Sequence, residues 1–319
     1  LVKTIQLDDA RQLYGDLANS LGVAWAADGR LLVTTLHDGE RDGEKFSYNL
    51  VRSFDLSGDR DVLTPADAVS ATEVRDVYVL REMTQASRGP LYATTKELRN
   101  EQQHYLGAEV RLIGADGVAL STIENATLLS LRGDVVLTAA PGKSQPSLRL
   151  WDLFDPRRPL DVTPEWLKER AAAWRARNPQ SKYGWWPTIS AKLGTFQGRP
   201  AIIFHDEGKL QLLDLQTGAV LRSLEVPNGW DVAPYLADEK GGYMAAVVKA
   251  PGQFSGPNPE RLMIWKLSTG ELVMELDATY VPQGWIYSRG QSIGQLLFSR
   301  DGRRLIAAGR QSVQIFDLP

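Results

Sequence analysis

Leu212-Leu213-Asp214-Leu215-Gln216-Thr217-Gly218 returns about fifty residues later as Ile264-Trp265-Lys266-Leu267-Ser268-Thr269-Gly270. The same apolar-Asp-Leu signature occurs at Ser53-Phe54-Asp55-Leu56-Ser57-Gly58, at Leu150-Trp151-Asp152-Leu153 and at Ile315-Phe316-Asp317-Leu318, with a weaker copy at Val110-Arg111-Leu112-Ile113-Gly114-Ala115-Asp116-Gly117. A period of roughly 40 to 60 residues is what four short strands and their loops require. Around each copy stand a strand, an Asp-Gly type turn such as Ala27-Asp28-Gly29-Arg30 or Arg300-Asp301-Gly302-Arg303, a β-rich strand, a variable loop, the signature strand and a Gly turn. Asp-Gly between apolar runs is a strong hairpin signal, because the Gly accepts the positive φ that the turn needs.

Six such units predict an all-β fold, a single β-propeller of about six four-stranded blades spanning residues 1–319. The blades are expected near 17–64, 65–124, 125–163, 184–227, 228–277 and 284–319, the last completed by residues 1–9. The last signature leaves no room for a fourth strand, while Val2-Lys3-Thr4-Ile5-Gln6-Leu7 has the pattern of Glu271-Leu272-Val273-Met274-Glu275-Leu276, which follows a Thr-Gly turn. An N-terminal strand in that place would cover an open edge and clasp the ring.

Through Phe298-Ser299-Arg300-Asp301-Gly302-Arg303-Arg304-Leu305 and the Trp151-Asp152 pair the chain resembles bacterial WD-repeat propellers, and Leu215-Gln216-Thr217-Gly218 resembles quinoprotein-type repeats. The likeness is one of repeat grammar and covers nearly the whole chain. The Gly-His dipeptide that opens many WD repeats is absent. The resemblance implies a binding scaffold as the leading function. Its rivals are a quinoprotein- or lactonase-type enzyme with calcium or quinone at the channel, and an envelope-assembly scaffold.

One segment breaks the β pattern. Thr163-Pro164-Glu165 opens and Asn178-Pro179 closes an Ala- and Arg-rich run, which predicts a helix near 164–177 in an insertion over 164–183. Leu167, Ala171 and Trp174 share one face. Seven basic residues against three acidic ones over 156–183, Arg170, Arg175 and Arg177 among them, read either as a solvated face or as a surface for an acidic partner.

Strands alternate in direction, so the turns between strands one and two and between three and four share one rim. The other rim collects the segments His37–Tyr48, Glu97–Gly107 and Ala250–Glu260, read as long loops, together with the helix and the blade crossovers. Gly184-Trp185-Trp186, Gly229-Trp230 and Gly284-Trp285 stand at crossovers, either as wedges between blades or as an aromatic patch for a partner. Trp185, Trp186, Trp230, Trp285, Arg170, Arg175 and Arg177 are therefore the candidate partner-binding residues. A protein or peptide is the expected partner, another domain of the same polypeptide included.

Catalytic signals are poor. The histidines, His37, His104 and His205, are isolated, no Gly-x-Ser-x-Gly elbow or phosphate loop appears, and no cofactor, metal site or catalytic residue is expected. Without cysteine there is no disulfide and no thiolate metal site. A formal charge of -3 gives no global field for nucleic acid or anionic lipid. No apolar run approaches the ~18 residues of a membrane-spanning helix. Arg-rich composition hints at a bacterial source, with cytoplasm and periplasm both open.

Overall fold

The computed structural model describes residues 3–7, 22–26, 28–75, 80–86, 89–99, 105–114, 118–132, 134–139, 147–153, 155–177, 179, 192–197, 199–206, 208–238, 242–250, 260–277, 293–299, 301–309 and 312–319. The chain opens on β1 (Lys3–Gln6), whose partners come later. The first blade is β2 (Gly22–Trp25), β3 (Leu31–Arg41), β4 (Glu44–Phe54) and, after the two-residue β5 (Val62–Leu63), β6 (Ser70–Arg75). The second holds β7 (Leu80–Ala86), β8 (Gly89–Arg99), β9 (Tyr105–Gly114) and β10 (Ala119–Glu124). The third holds β11 (Thr127–Arg132), β12 (Val135–Ala139), β13 (Leu148–Asp152) and β14 (Asp155–Asp161). Helix α1 (Glu165–Arg177) leads to the fourth, of β15 (Lys192–Phe196), β16 (Arg199–Asp206), β17 (Lys209–Asp214) and β18 (Val220–Glu225). The fifth is β19 (Asp231–Ala237), β20 (Tyr243–Lys249), β21 (Glu260–Lys266) and β22 (Glu271–Asp277).

The sixth sheet contains β23 (Ile293–Phe298), β24 (Arg304–Gly309) and β25 (Ser312–Asp317), then β1 and β5, in that order. β1 pairs antiparallel with β25, Lys3 facing Ile315 and Ile5 facing Val313, as the sequence pattern predicts. The fifth strand was not foreseen. β5 pairs parallel with β1, Thr4 facing Val62 and Ile5 facing Leu63, and the Thr4 amide donates to the Asp61 carbonyl at 2.8 Å. The expected limit of blade 1 at residue 64 is thus corrected. Its outer strand is β6, and Ser57–Val69 is a strap that crosses to the neighbouring sheet.

Each junction between blades has its own buried cluster. Leu210, Leu212, Tyr235, Met244 and Trp265 fill the junction of blades 4 and 5. Ile5, Leu7, Val23, Phe54, Ile306 and Val313 fill that of blades 6 and 1. The alternation along each strand dictates this: in β20, Met244, Ala246 and Val248 face blade 4, whereas Ala245 and Val247 face blade 6. A strand with a sheet face packed on both sides reads as a nearly unbroken apolar run, as Tyr243–Lys249 does.

Leu167 and Ala171 of α1 are buried and Trp174 is half-buried, the face read from the sequence. The position differs from the expected rim. Leu167 enters the core between blades 3 and 4, and Trp166 stacks on Phe204 with ring centroids 6.2 Å apart. The indole also lies against Gly218 in the β17–β18 turn, where a Cβ would come within 2.3 Å of it. The helix therefore fills the outer wedge between two blades. Thr163, the candidate cap, instead accepts the Leu148 amide at 2.7 Å and ties the helix entry to β13.

Candidate functional site: the hairpin rim

Turn chemistry separates the rims. On one, which we call the turn rim, aspartates spend their carboxylates on their own loops. Asp214 accepts the Gln216 and Thr217 amides at 3.0 and 2.8 Å and the Thr217 hydroxyl at 2.9 Å. Asp301 accepts the Ser299 hydroxyl at 2.5 Å and the Arg303 amide at 3.0 Å. The Thr217 amide holds Asp214, and the Ser299 hydroxyl holds Asp301, below the usual carboxylate range. Asp238, 3% exposed, accepts the Gly242 and Tyr243 amides at 2.9 and 3.2 Å. Gly218, Gly270 and Gly302 supply the positive φ of these turns.

The opposite, hairpin rim carries two projecting ladders. β3 and β4 pair from Leu31–Phe54 out to Arg41–Glu44, whereas β2 covers only Leu31–Thr34 and β6 only Tyr48–Ser53. Residues beyond Asp38 stand clear of both flanking strands. β8 and β9 likewise pair out to Arg99 and Tyr105, past the reach of β10 at Glu109. His37–Tyr48, expected as a long loop, is largely strand, and so are the described ends of Glu97–Gly107, residues 97–99 and 105–107. Asp42 and Gly43, with φ of 55° and 81°, make the first a two-residue hairpin of the type that both positive dihedrals demand.

One face of this first hairpin is aromatic. His37 and Tyr48 face each other across the ladder and stack with centroids 5.6 Å apart, and Phe46 lies 5.8 Å from Tyr48. Phe46 covers Gly39, where a Cβ would sit 2.7 Å from its ring. The Thr35 hydroxyl links the His37 Nε2, 2.7 Å away, to the buried Arg52, whose Nη1 donates to it at 3.1 Å. The opposite face and the tip carry exposed Asp38, Glu40, Asp42 and Glu44. Sequence reading missed the aromatic ladder. A glycine inside a strand, facing an aromatic across the pair, was the available signal.

Of the sequence-predicted residues, Trp230 is half-buried. It packs on the core between blades 4 and 5 and carries the Arg261 guanidinium 5.0 Å above its ring, itself held by Glu275 at 2.6 Å. Beside it, Lys249 and Glu260 approach to 3.9 Å; burial pushes the Lys249 ammonium below the ordinary lysine range, while Glu260 and Asp231 pull the other way. Arg170 lies over Phe204 at 5.5 Å and Trp166 at 6.0 Å. Arg175 and Arg177 are exposed in the last helical turn, and Arg177 donates to the Ala173 carbonyl at 3.3 Å. The structure thus puts the arginines between blades 3 and 4 and Trp230 between blades 4 and 5. Trp185, Trp186 and Trp285 lie outside the described residues, as does His104. His205 is the last residue but one of β16, facing Leu210 across the ladder, and among the described residues no three His, Asp or Glu side chains converge.

No protein-family model matches the sequence, and no curated protein is significantly similar to it. Solved structures do resemble it in fold. A chain of the mitotic checkpoint complex is 10% identical over 99% of this chain and 94% of its own, with a TM-score of 0.54. Sqt1 from Chaetomium thermophilum is 10% identical over 100% and 98%, at 0.49. Hydrazine synthase from Kuenenia stuttgartiensis is 13% identical over 96% and 79%, at 0.46. At such identities the likeness is one of fold alone.

Proposed function

We propose that this protein is a noncatalytic interaction scaffold that receives a protein or peptide partner on the hairpin rim. The observation that carries the reading is the β3–β4 ladder, which runs past the strands on either side of it and carries an aromatic face, with His37 and Tyr48 at its base, where Tyr48 still pairs with β6, and Phe46 on the projecting part. Extra length costs backbone entropy, and inside the ring it adds no interblade burial. Aromatic side chains on a rigid, paired element make contact area at low entropic cost. The fold likeness to a chain of the mitotic checkpoint complex, a multiprotein assembly, agrees with this. Trp185, Trp186 and Trp285 belong to the same proposal through strand parity, whereas Arg175 and Arg177, exposed at the end of the helix between blades 3 and 4, form a separate basic edge in it.

A photo-crosslinking residue placed at Glu40 identifies the partner, and its affinity is then measured against Phe46→Ala and Tyr48→Ala. Each substitution is expected to weaken binding by about 2 kcal/mol with an unchanged melting temperature. Affinity unchanged in both variants would refute the proposal.

A further inference from the structure

At the seam between blades 6 and 1 the turn rim is not tight. In blades 4 and 5 the third and fourth strands are joined by short turns at Asp214–Gly218 and Lys266–Gly270, each closed by a hydrogen bond from the Gly amide to the first carbonyl. In blade 1 the same connection is the strap, and it walls a cleft of about 720 Å³. Small-molecule sites occupy roughly 300–1,000 Å³. The cleft is lined by Trp25, Lys3, Arg30 and Arg304, with Asp28 and Asp55.

Three cations and two carboxylates leave a net charge of +1. Asp28 is spent on Arg30, accepting its amide at 3.2 Å, its Nε at 2.7 Å and its Nη2 at 2.6 Å. Asp55 accepts the Ser57 amide at 2.9 Å. A guanidinium has five N–H donors and an ammonium three. Among the described residues Arg304 commits its Nε alone, to Asp317 at 3.2 Å, and neither Nη group has a partner there. Arg30 keeps Nη1. Among the described residues Lys3, 9% exposed, donates to the carbonyls of Gly58 and of Arg60, the latter at 2.8 Å, and to no carboxylate. The aromatic ring of the lining is Trp25, fixed by its indole N–H, which donates to the Phe298 carbonyl at 3.0 Å.

We propose that the seam cleft binds a small organic carboxylate with a flat apolar body, the acid group on Arg304 and Arg30 and the body against Trp25. The site is independent of the hairpin rim and stands on the opposite face of the ring.

A matched pair of probes tests it: N-acetylphenylalanine and N-acetylphenylalaninamide, which differ in the charged group alone, titrated into the whole chain by calorimetry and by the indole N–H resonance of Trp25. The acid is expected to shift that resonance to saturation and to bind at least about tenfold more tightly than the amide, the worth of a charge-assisted hydrogen bond. Arg304→Gln is expected to weaken the acid about tenfold, and Asp55→Asn, which keeps the Ser57 bond and removes a repelling charge, to tighten it. Equal affinity for acid and amide, no shift with either at ~10 mM, ten times a 1 mM Kd, or unchanged binding in both variants would overturn the proposal. Binding that is lost in Arg304→Gln but also loosened in Asp55→Asn would overturn it as well.

Discussion

The seam between blades 6 and 1 and the junction between blades 4 and 5 bury similar apolar clusters, yet they are closed by different means. At the 4–5 junction two self-contained meanders meet, each strand paired with its sequence neighbour. At the seam the sheet runs β23-β24-β25-β1-β5, so its outer strands come from the other end of the chain. Lys3 then ties β1 to the strap through the Gly58 and Arg60 carbonyls. The difference teaches that ring closure here is held by contacts of very long sequence separation, whose loop entropy is recovered only when everything between them has folded. The strap adds contacts of short separation that do not wait for this.

The largest expected effect comes from deleting residues 1–7. Ile5 and Leu7, 0% and 1% exposed, would leave the seam core, at roughly 1.5–3 kcal/mol each, and the edge of β25 would lose its partner. Chemical denaturation should show a loss of several kcal/mol, whereas an unchanged midpoint would mean that the seam is no weaker than any other junction. Next in size is Lys3→Met, which keeps the stem and removes the bonds to the strap. A loss of about 1–3 kcal/mol is expected, with faster hydrogen exchange of the Thr4 amide and no change at Leu212. Faster exchange at both positions would erase the distinction between the two regions.

The smallest effect is set by pH. The Thr64 amide bonded to Asp67 in the strap and the Ser57 amide bonded to Asp55 at its entry hold these carboxylates below their ordinary range, and the Thr217 amide does the same for Asp214 in blade 4. A carboxylate depressed in the folded state lends stability that is complete above its unfolded value of about 4 and is lost as pH falls through the folded value. The urea midpoint should therefore fall below about pH 4, and Asp67→Asn should flatten part of that decline. A midpoint level from pH 7 to 3, the latter about one unit below the unfolded value, would contradict the assignment.

What could be read in the sequence, and what could not, follows the same division. The signature strands, the Asp-Gly turns and the pairing of β1 with β25 were legible because each is a local pattern repeated several times. The strap was not: Ser57–Val69 has no strand periodicity, and only Val62 and Leu63 enter a ladder. The length of the β3–β4 hairpin was hidden because Asp38–Glu44 carries charge and glycine in place of alternation, so it reads as a loop. The helix was found from its boundaries and its face, but Trp166, which decides where it docks, fits against a glycine in another blade. The cleft could not be foreseen at all, because Lys3, Arg30 and Arg304 meet only once the ring is closed.

The parallel pair β1–β5 has a consequence for the order of events on the ribosome. Between Ile5 and Val313, its antiparallel partner in β25, lie ~300 residues, and translation at 5–20 residues per second takes about 15–60 s to cross them. A strand whose backbone edges stay unpaired for that time is a template for wrong partners. Among the described strands that pair with β1, β5 alone has left the ribosome long before the last blade exists. The strap gives β1 a provisional mate in the nascent chain, and the same contact later becomes part of the lock.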